Sequence, residues 1–256
     1  MSRVYSKKNR SLLNRSDLFM GYLLAGYPSR QTFLSLLSSC CESGVDIVEV
    51  GFPSKNPFAD GEIIQNAHNA IDSTIAIDMA YWHAVRESCP KPLWFMGYHA
   101  DLIETGAYYD LAKAGVVDAF VIPDNNEDTF YKMVEKLAPL GVDMVPFVGP
   151  CDTERKLREY FQNNVFVYYQ LFMGQTGGNQ AAEDFTNVLS IAHEYDHLRI
   201  LAGFGINTPT QAQMLLDAGF DGFIIGTAMV RKLNKSPQTL LEFVKKVKQE
   251  TKREIP

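Results

Sequence analysis

The chain has 256 residues, 46% of them hydrophobic and 21% charged, which is enough to bury a full core without disulfides or a structural metal. Its formal net charge of −6 argues against a nucleic-acid-binding surface, which usually carries a basic stripe. No window approaches the roughly 18 consecutive apolar residues of a membrane span, and the polar start "MSRVYSKKNRSLLNRSD" lacks a signal-peptide core.

Eight short apolar runs follow one another along the chain. In chain order they read "LFMGYLLAG", "VDIVEVGF", "PLWFMGYH", "VDAFVIPD", "VDMVPFVG", "NVFVYYQLFM", "LRILAGFG" and "DGFIIGTAMV". Each run is continuous rather than alternating, as is typical of parallel strands that are buried on both faces. We therefore predict eight parallel strands.

Segments with helical periodicity lie between these runs, for example residues 32–43 and 129–140. A glycine often ends such a segment just before the next run, because glycine readily adopts the left-handed conformation that stops a helix. The glycines in this position are Gly44, Gly115, Gly141 and Gly219.

Strands alternating with helices over this length predict an α/β fold, a single (β/α)8 TIM barrel spanning residues 1–256. Residues 1–17 would form a polar N-terminal segment or helix, and residues 236–256 a C-terminal helix. The main alternative is an open doubly wound sheet. That fold usually has a GxGxxG loop after its first strand, and "LLAGYPSRQ" does not contain one.

Two acids near the second run are candidates for chemistry, because the active residues of a barrel follow the carboxyl ends of its strands. Glu49 lies near the end of "VDIVEVG" among apolar neighbours, which would raise its pKa and suit it to acid–base work. Its alternative role is an ion pair with a lysine or arginine. Asp60 lies in "PFADGE", and its alternative role is to cap the helix that begins near Glu62.

Three glycine-bearing loops follow the last three runs: "MGQTGGN", "GFGINTP" and "GTAMV". Backbone N–H groups at such loops bind anions, and barrels often bind phosphate after strands seven and eight. Aromatic residues at the strand ends could form a flat slot for an aromatic substrate. These are Tyr22, Tyr98, Phe120, Tyr168 and Phe204.

The four cysteines lack the spacing of a zinc site. Cys40 and Cys41 are adjacent, while Cys89 and Cys151 stand alone, so we expect free thiols in a reducing cytosol. The expected compartment is the cytoplasm.

The segment "EVGFPSKNPFADGE" resembles the hallmark of the tryptophan synthase alpha subunit family, roughly E-[LIV]-G-x-P-F-S-D-P-x-A-D-G-P. The similarity continues through "LLAGYP", "FVYYQLFMGQTGG", "AGFGINTPTQ" and "DGFIIGTAMV", from about residue 18 to residue 232. The resemblance implies a lyase that cleaves indole-3-glycerol phosphate to indole and D-glyceraldehyde 3-phosphate by a retro-aldol route. It implies no metal and no organic cofactor, and it suggests a beta subunit as the partner that consumes indole to make tryptophan.

The resemblance also implies roles for particular residues. Glu49 would perform the acid–base work, Asp60 would accept the indole N–H and stabilise the positive charge on the ring, and Tyr168 would lie close to the substrate. Thr176 would steady the aspartate. Tyr22 and Phe204 would form the walls of the indole slot. The phosphate cradle would be formed by Gly177, Gly178, Gly205, Gly226 and Thr227.

The sequence departs from the family pattern in the loops after the second and sixth strands. Ser54, Lys55 and Asn56 replace Phe-Ser-Asp, Glu62 replaces a proline, and Phe172 replaces an arginine. Besides an alpha subunit, the alternatives are a stand-alone lyase that releases free indole, a weakly active homologue with a regulatory role, and another phosphate-binding barrel enzyme.

Overall fold

The computed structural model describes residues 3–172, 174, 176 and 185–251, and within them the chain forms nine strands. The strands are β1 (Leu18–Leu24), β2 (Ile47–Gly51), β3 (Leu93–Met96), β4 (Ala119–Val121), β5 (Asp143–Met144), β6 (Phe147–Val148), β7 (Phe166–Gln170), β8 (Arg199–Gly203) and β9 (Gly222–Ile225).

Helices connect these strands. They are α1 (Arg30–Ser43), α2 (Glu62–Ala70), α3 (Met79–Glu87), α4 (His99–Leu102), α5 (Ala107–Lys113), α6 (Glu127–Leu137), α7 (Glu154–Asn163), α8 (Thr186–Ala192), α9 (Pro209–Ala218), α10 (Thr227–Leu233) and α11 (Pro237–Glu250). Short 3-10 helices cover Asn9–Leu12, Ser73–Ile77 and Ala138–Leu140. The predicted glycine stops are confirmed at α1 and α9, where Gly44 and Gly219 have φ values of 124° and 114°.

The sheet closes into a barrel within the fifth predicted strand. Every pairing is parallel, in the order β5-β4-β3-β2-β1-β9-β8-β7-β6, so β5 and β6 lie at opposite ends of this order. Only Val145 and Pro146 separate these two strands. The Val145 N–H donates to the Phe120 carbonyl (2.9 Å), and the Pro146 carbonyl accepts from the Tyr168 N–H (3.0 Å). The predicted barrel is confirmed, but the prediction of one strand for "VDMVPFVG" is wrong. Pro146 has no N–H to continue a ladder, and the chain changes neighbours there.

The N-terminal segment closes the amino-terminal end of the barrel. Asn9 is fully buried and donates to Asp143 Oδ2 (2.8 Å) and to the Asp118 carbonyl (3.2 Å). Its Oδ1 accepts from the Trp94 indole N–H (2.9 Å). The three bonds satisfy the buried amide and hold the N-terminal segment across this end of the barrel.

Side chains along the strands alternate between the barrel interior and the layer beneath the helices. Leu18 and Met20 of β1 pack in the interior together with Ile47 of β2, whereas Phe19 packs in the outer layer. Glu49 is two residues beyond Ile47, so it faces the interior at the carboxyl end. The fold thus places an acid at the barrel mouth.

Candidate active site

A cavity opens at the carboxyl ends of the strands, as the barrel predicts, with about 610 Å³ of empty space including the part open to solvent. It brings together side chains from β1, β2, β7 and β9 and from the loops after β2, β3, β7 and β8. The lining residues used below are Tyr22, Glu49, Asp60, Ile64, Tyr98, Tyr168, Thr176, Phe204, Gly205, Asn207, Gly226 and Thr227.

Glu49 is a buried acid without a charged partner. Its side chain lines the cavity, the residue is 2% exposed, and its Oε1 atom has no hydrogen-bond partner among the described residues. No ion pair of the described residues includes Glu49, so the alternative role in a salt bridge is not supported. Burial, with a smaller contribution from the Asp60 charge, raises the pKa of Glu49 to about 8. The carboxyl group is therefore mainly protonated at neutral pH.

Asp60 lies at the same cavity but in a different environment. Its Oδ2 accepts from the Tyr98 hydroxyl (2.7 Å), and its Oδ1 is 3.4 Å from the Thr176 hydroxyl. Burial raises the pKa of Asp60 to about 6, and these two hydrogen bonds oppose the rise. Gly61, not Asp60, is the N-cap of α2, and no side-chain cap is present there. The helix-capping alternative for Asp60 is therefore wrong, and its carboxylate is ionised at neutral pH.

Thr176 joins the loop after β7 to the loop after β2. Its N–H donates to the Ala59 carbonyl (3.2 Å), and its hydroxyl accepts from the Gly61 N–H (2.9 Å). The two loops meet closely here: a Cβ atom on Gly61 would lie 2.0 Å from the Thr176 carbonyl oxygen. Gly61 is thus needed for space rather than for an unusual backbone angle, since its φ is −78°.

The predicted aromatic walls surround the cavity. Tyr22 and Glu49 are paired neighbours on β1 and β2, and Tyr168 packs against Phe147 with a ring separation of 5.0 Å. Phe204 has a φ of 76°, which is rare outside glycine, and edge-on aromatic contacts hold its ring. Burial raises the pKa of Tyr22 and of Tyr168 well above the usual value, so both hydroxyls stay protonated. The walls are therefore aromatic, and the two tyrosines add hydroxyl groups to them.

Three of the predicted phosphate-binding residues lie together at one side of the cavity. Gly205 follows β8 with a φ of 78°, Gly226 is the N-cap of α10, and Thr227 is its first residue. The Thr227 hydroxyl oxygen is buried without a hydrogen-bond partner among the described residues. A buried hydroxyl at a cavity normally finds a partner, so this position suits a ligand oxygen. Gly177 and Gly178 lie outside the described residues.

Two residues next to Asp60 carry contacts that sequence reasoning did not assign, and only the first of them, Tyr98, lines the cavity. Tyr98, noted only as a strand-end aromatic, donates to Asp60. His68, on the buried face of α2, has its Nε2 atom 4.0 Å from Asp60 Oδ2. The rule that active residues follow strand ends could have identified Tyr98. The position of His68 near Asp60 is known only once the packing of α2 in the folded chain is known. Phe120 does not line the cavity, because its ring packs outward against Phe95 and Tyr108.

The residues that depart from the family pattern have local partners. The Ser54 N–H donates to His68 Nδ1 (3.2 Å), and the Ser54 hydroxyl accepts from the Asn56 N–H (3.1 Å). Glu62 is exposed in the first turn of α2, where a carboxylate interacts favourably with the helix dipole. Phe172 is buried and meets Phe204 edge-on at 6.2 Å. Lys55 is exposed, and nothing in the structure explains its identity.

Other kinds of site are not found in the part of the chain that the structure describes. No group of three or more metal-ligating side chains occurs there, and no helix is long and apolar enough to cross a membrane. All four cysteines are free thiols, and only Cys151 is exposed.

The sequence profile of the tryptophan synthase alpha chain family matches residues 9–255. The chain belongs to this family. The tryptophan synthase alpha chain of Chlamydia felis is 32% identical over 248 residues, covering 90% of this chain and 93% of the relative. That of Petrotoga mobilis is 28% identical over 255 residues, covering 96% and 97%. The family predicted from the sequence is confirmed, and with it the enzyme class, a lyase that cleaves indole-3-glycerol phosphate.

Solved structures agree with the barrel fold. A chain of Mycobacterium tuberculosis tryptophan synthase superposes with a TM-score of 0.81 at 24% identity, covering 99% of each chain. A mutant tryptophan synthase alpha subunit from Pyrococcus furiosus gives 0.78 at 22% identity, covering 91% of this chain and 98% of that one. The alpha-chain fold is therefore retained despite the altered loops.

Proposed function

We propose that the cavity cleaves indole-3-glycerol phosphate with Glu49 as the acid–base residue and Asp60 as the electrostatic stabiliser. The observation that carries this assignment is the state of Glu49. It is buried at the cavity with an unpartnered carboxyl oxygen, and its pKa of about 8 leaves it protonated at neutral pH. A neutral carboxylic acid in that position can deliver a proton to a bound ring.

The reaction then needs one acid and one base step, and a single group can supply both. Glu49 gives its proton to indole C3, and the ring becomes a cationic indolenine. The resulting carboxylate takes the proton of the side-chain hydroxyl next to the scissile bond. The O–H electrons form the aldehyde C=O, and the C–C electrons return to the ring. Glu49 ends protonated again, so the cycle closes without another proton donor.

Asp60 acts on the other part of the ring. Its carboxylate, ionised above a pKa of about 6, would accept the indole N–H and offset the positive charge of the indolenine. Tyr98 and Thr176 hold the two carboxylate oxygens, so the group is oriented before the substrate binds.

Substrate binding would use the remaining lining residues. The indole fits among Tyr22, Tyr168 and Phe204, which enclose the apolar part of the cavity. The phosphate would take the side formed by Gly205, Gly226 and Thr227, where backbone N–H groups and the unpartnered hydroxyl supply donors.

As partner we propose a tryptophan synthase beta subunit that takes up the indole, with the cytoplasm as the compartment. The relatives are named alpha chains, and the similar solved structures include several of M. tuberculosis tryptophan synthase. The four free thiols fit a reducing compartment. The stand-alone lyase is the alternative, because the altered residues Ser54, Lys55 and Asn56 lie on the loop after β2.

The test of the proposal compares wild type with Glu49→Gln. Glutamine keeps the shape of the side chain but cannot donate and retake a proton, so indole formation should fall by at least about 10³-fold. The matched control is Glu242→Gln on the exposed face of α11, which should keep wild-type turnover. Near-normal cleavage by Glu49→Gln would refute the assignment.

A further inference from the structure

His68 is a buried titratable side chain for which the mechanism above has no use. It lies on α2, and its side chain is 2% exposed. The same helix face carries Ile64, which lines the cavity one turn earlier. An imidazole in such a place is unusual unless its polar atoms have partners, and both ring nitrogens have a neighbour.

The hydrogen bond on one ring nitrogen fixes the proton on the other. The Ser54 backbone N–H points at His68 Nδ1 at 3.2 Å, and a backbone N–H can only donate. Nδ1 must therefore be the acceptor, and the neutral ring carries its proton on Nε2. Burial lowers the pKa of His68 to about 4, so the ring is neutral throughout the range in which the enzyme would work.

The protonated nitrogen faces the Asp60 carboxylate. The distance from Nε2 to Asp60 Oδ2 is 4.0 Å, which is longer than a hydrogen bond but short enough for the N–H dipole to stabilise a negative charge. Since the ring is neutral, this contact is not an ion pair. Among the described residues, the other titratable groups that act on Asp60 are Glu49 of β2, Tyr22 of β1, Tyr98 after β3 and Tyr168 of β7.

We propose that His68 is a positioning residue for Asp60, which it orients and favours in the ionised form through its Nε2–H. This role rests on the proposed function of Asp60 in cleavage. The backbone of Ser54 holds the imidazole from the other side, so the altered loop after β2 sets the orientation of the ring. On the far side of this loop, a hydrogen bond with the Ser54 side chain and the charge of Lys55 both act on the Asp101 carboxyl group.

Two substitutions test the roles of the two ring nitrogens separately. In His68→Asn the amide reaches only the Nδ1 position, so the bond from Ser54 can be kept while the donor toward Asp60 is lost. In His68→Gln the longer amide reaches the Nε2 position and restores a donor. The matched control is His83→Asn, because His83 is exposed on α3 away from the cavity.

The deciding measurement is the titration of Asp60 in the free protein by NMR of ¹³C-labelled aspartate carboxyls, which does not depend on turnover. His68→Asn should raise the Asp60 pKa by about 0.5 to 1 unit, since a donor to the ionised form is lost. His68→Gln and His83→Asn should leave it unchanged. An unchanged Asp60 pKa in His68→Asn would overturn the proposal.

Two further readouts complete the test. If His68→Asn does not fold, ¹⁵N NMR of wild-type histidines decides, because a proton on Nδ1 of His68 instead of Nε2 would also overturn the proposal. In kinetics, the acidic limb of kcat/KM should move to higher pH in His68→Asn only, with kcat reduced about 5- to 20-fold. A wild-type protein without cleavage activity would refute the proposed function, while the Asp60 titration would still decide the role of His68.

Discussion

At the scale of single residues, the same burial that suits Glu49 to its proposed acid–base role lowers the stability of the fold. Its pKa rises from 4.5 to about 8 on folding, so the unfolded chain ionises first. The contribution of Glu49 to the free energy of unfolding therefore decreases as the pH rises from about 4.5 to 8. Replacing Glu49 by glutamine would remove this loss of stability at neutral and alkaline pH. A loss of activity in Glu49→Gln would therefore not reflect unfolding.

Asp60→Asn is predicted to lower kcat by about 10²- to 10³-fold, because the neutral amide no longer offsets charge on the indole ring. The side chain keeps its shape and can still accept from Tyr98, so KM should change little. Steady-state kinetics of indole formation measure both constants. Asp217→Asn, on the exposed face of α9, is the control, and unchanged kinetics in Asp60→Asn would rule out the electrostatic role.

At the scale of elements, the site depends on contacts between loops that are far apart in the sequence. Thr176 comes from the loop after β7, yet its backbone and side chain are bonded to Ala59, Asp60 and Gly61 after β2. Phe172, before Thr176, packs against Phe204 of the loop after β8. The loops after β2, β7 and β8 are thus held together by polar contacts on one side and apolar contacts on the other.

Gly61→Ala is predicted to disturb this assembly without unfolding the barrel. Alanine tolerates the backbone angles of Gly61, but its Cβ would collide with the Thr176 carbonyl, so the loop after β7 must move away. We expect kcat/KM to fall roughly 10- to 100-fold, because misplacing a catalytic group by about 1 Å can reduce the rate by as much as about 100-fold.

Gly149→Ala is the matched control, since its Cβ would meet Gln170 Oε1 at an ordinary distance of 3.4 Å. Circular dichroism and thermal unfolding should show both variants folded. Full activity of Gly61→Ala would mean that the contact between Thr176 and Gly61 has no part in catalysis.

At the scale of the whole molecule, the barrel was predictable because its strands are continuous apolar runs with glycine stops between them. The split at Pro146 was not predictable from the run itself, since "VDMVPFVG" looks like one strand and only closure of the barrel gives its halves different neighbours. Glu49 and Asp60 could be proposed from the sequence because Glu49 lies near the end of a strand and Asp60 in the loop after it. His68 was missed because its place beside Asp60 is created by the packing of α2 over the cavity.

The two carboxyl groups together predict a bell-shaped dependence of kcat/KM on pH. The free enzyme needs Asp60 ionised and Glu49 protonated, so kcat/KM should rise through a pKa of about 6 and fall through a pKa of about 8. The phosphate of the substrate also titrates near pH 6.

The acidic limb is assigned by comparison with Asp60→Asn. A limb that comes from Asp60 should flatten in this variant, whereas one that comes from substrate phosphate should remain. A profile without a decline above pH 8 would contradict a catalytic Glu49 that starts protonated.

The central claim is that this barrel cleaves indole-3-glycerol phosphate. Its most direct test is the rate at which the purified chain releases indole from that substrate, measured with and without a tryptophan synthase beta subunit. We expect measurable release by the chain alone, and acceleration by the beta subunit would establish the proposed partnership. Rapid release that is independent of the beta subunit would instead identify a stand-alone lyase, and no release under either condition would show that the chain does not cleave this substrate.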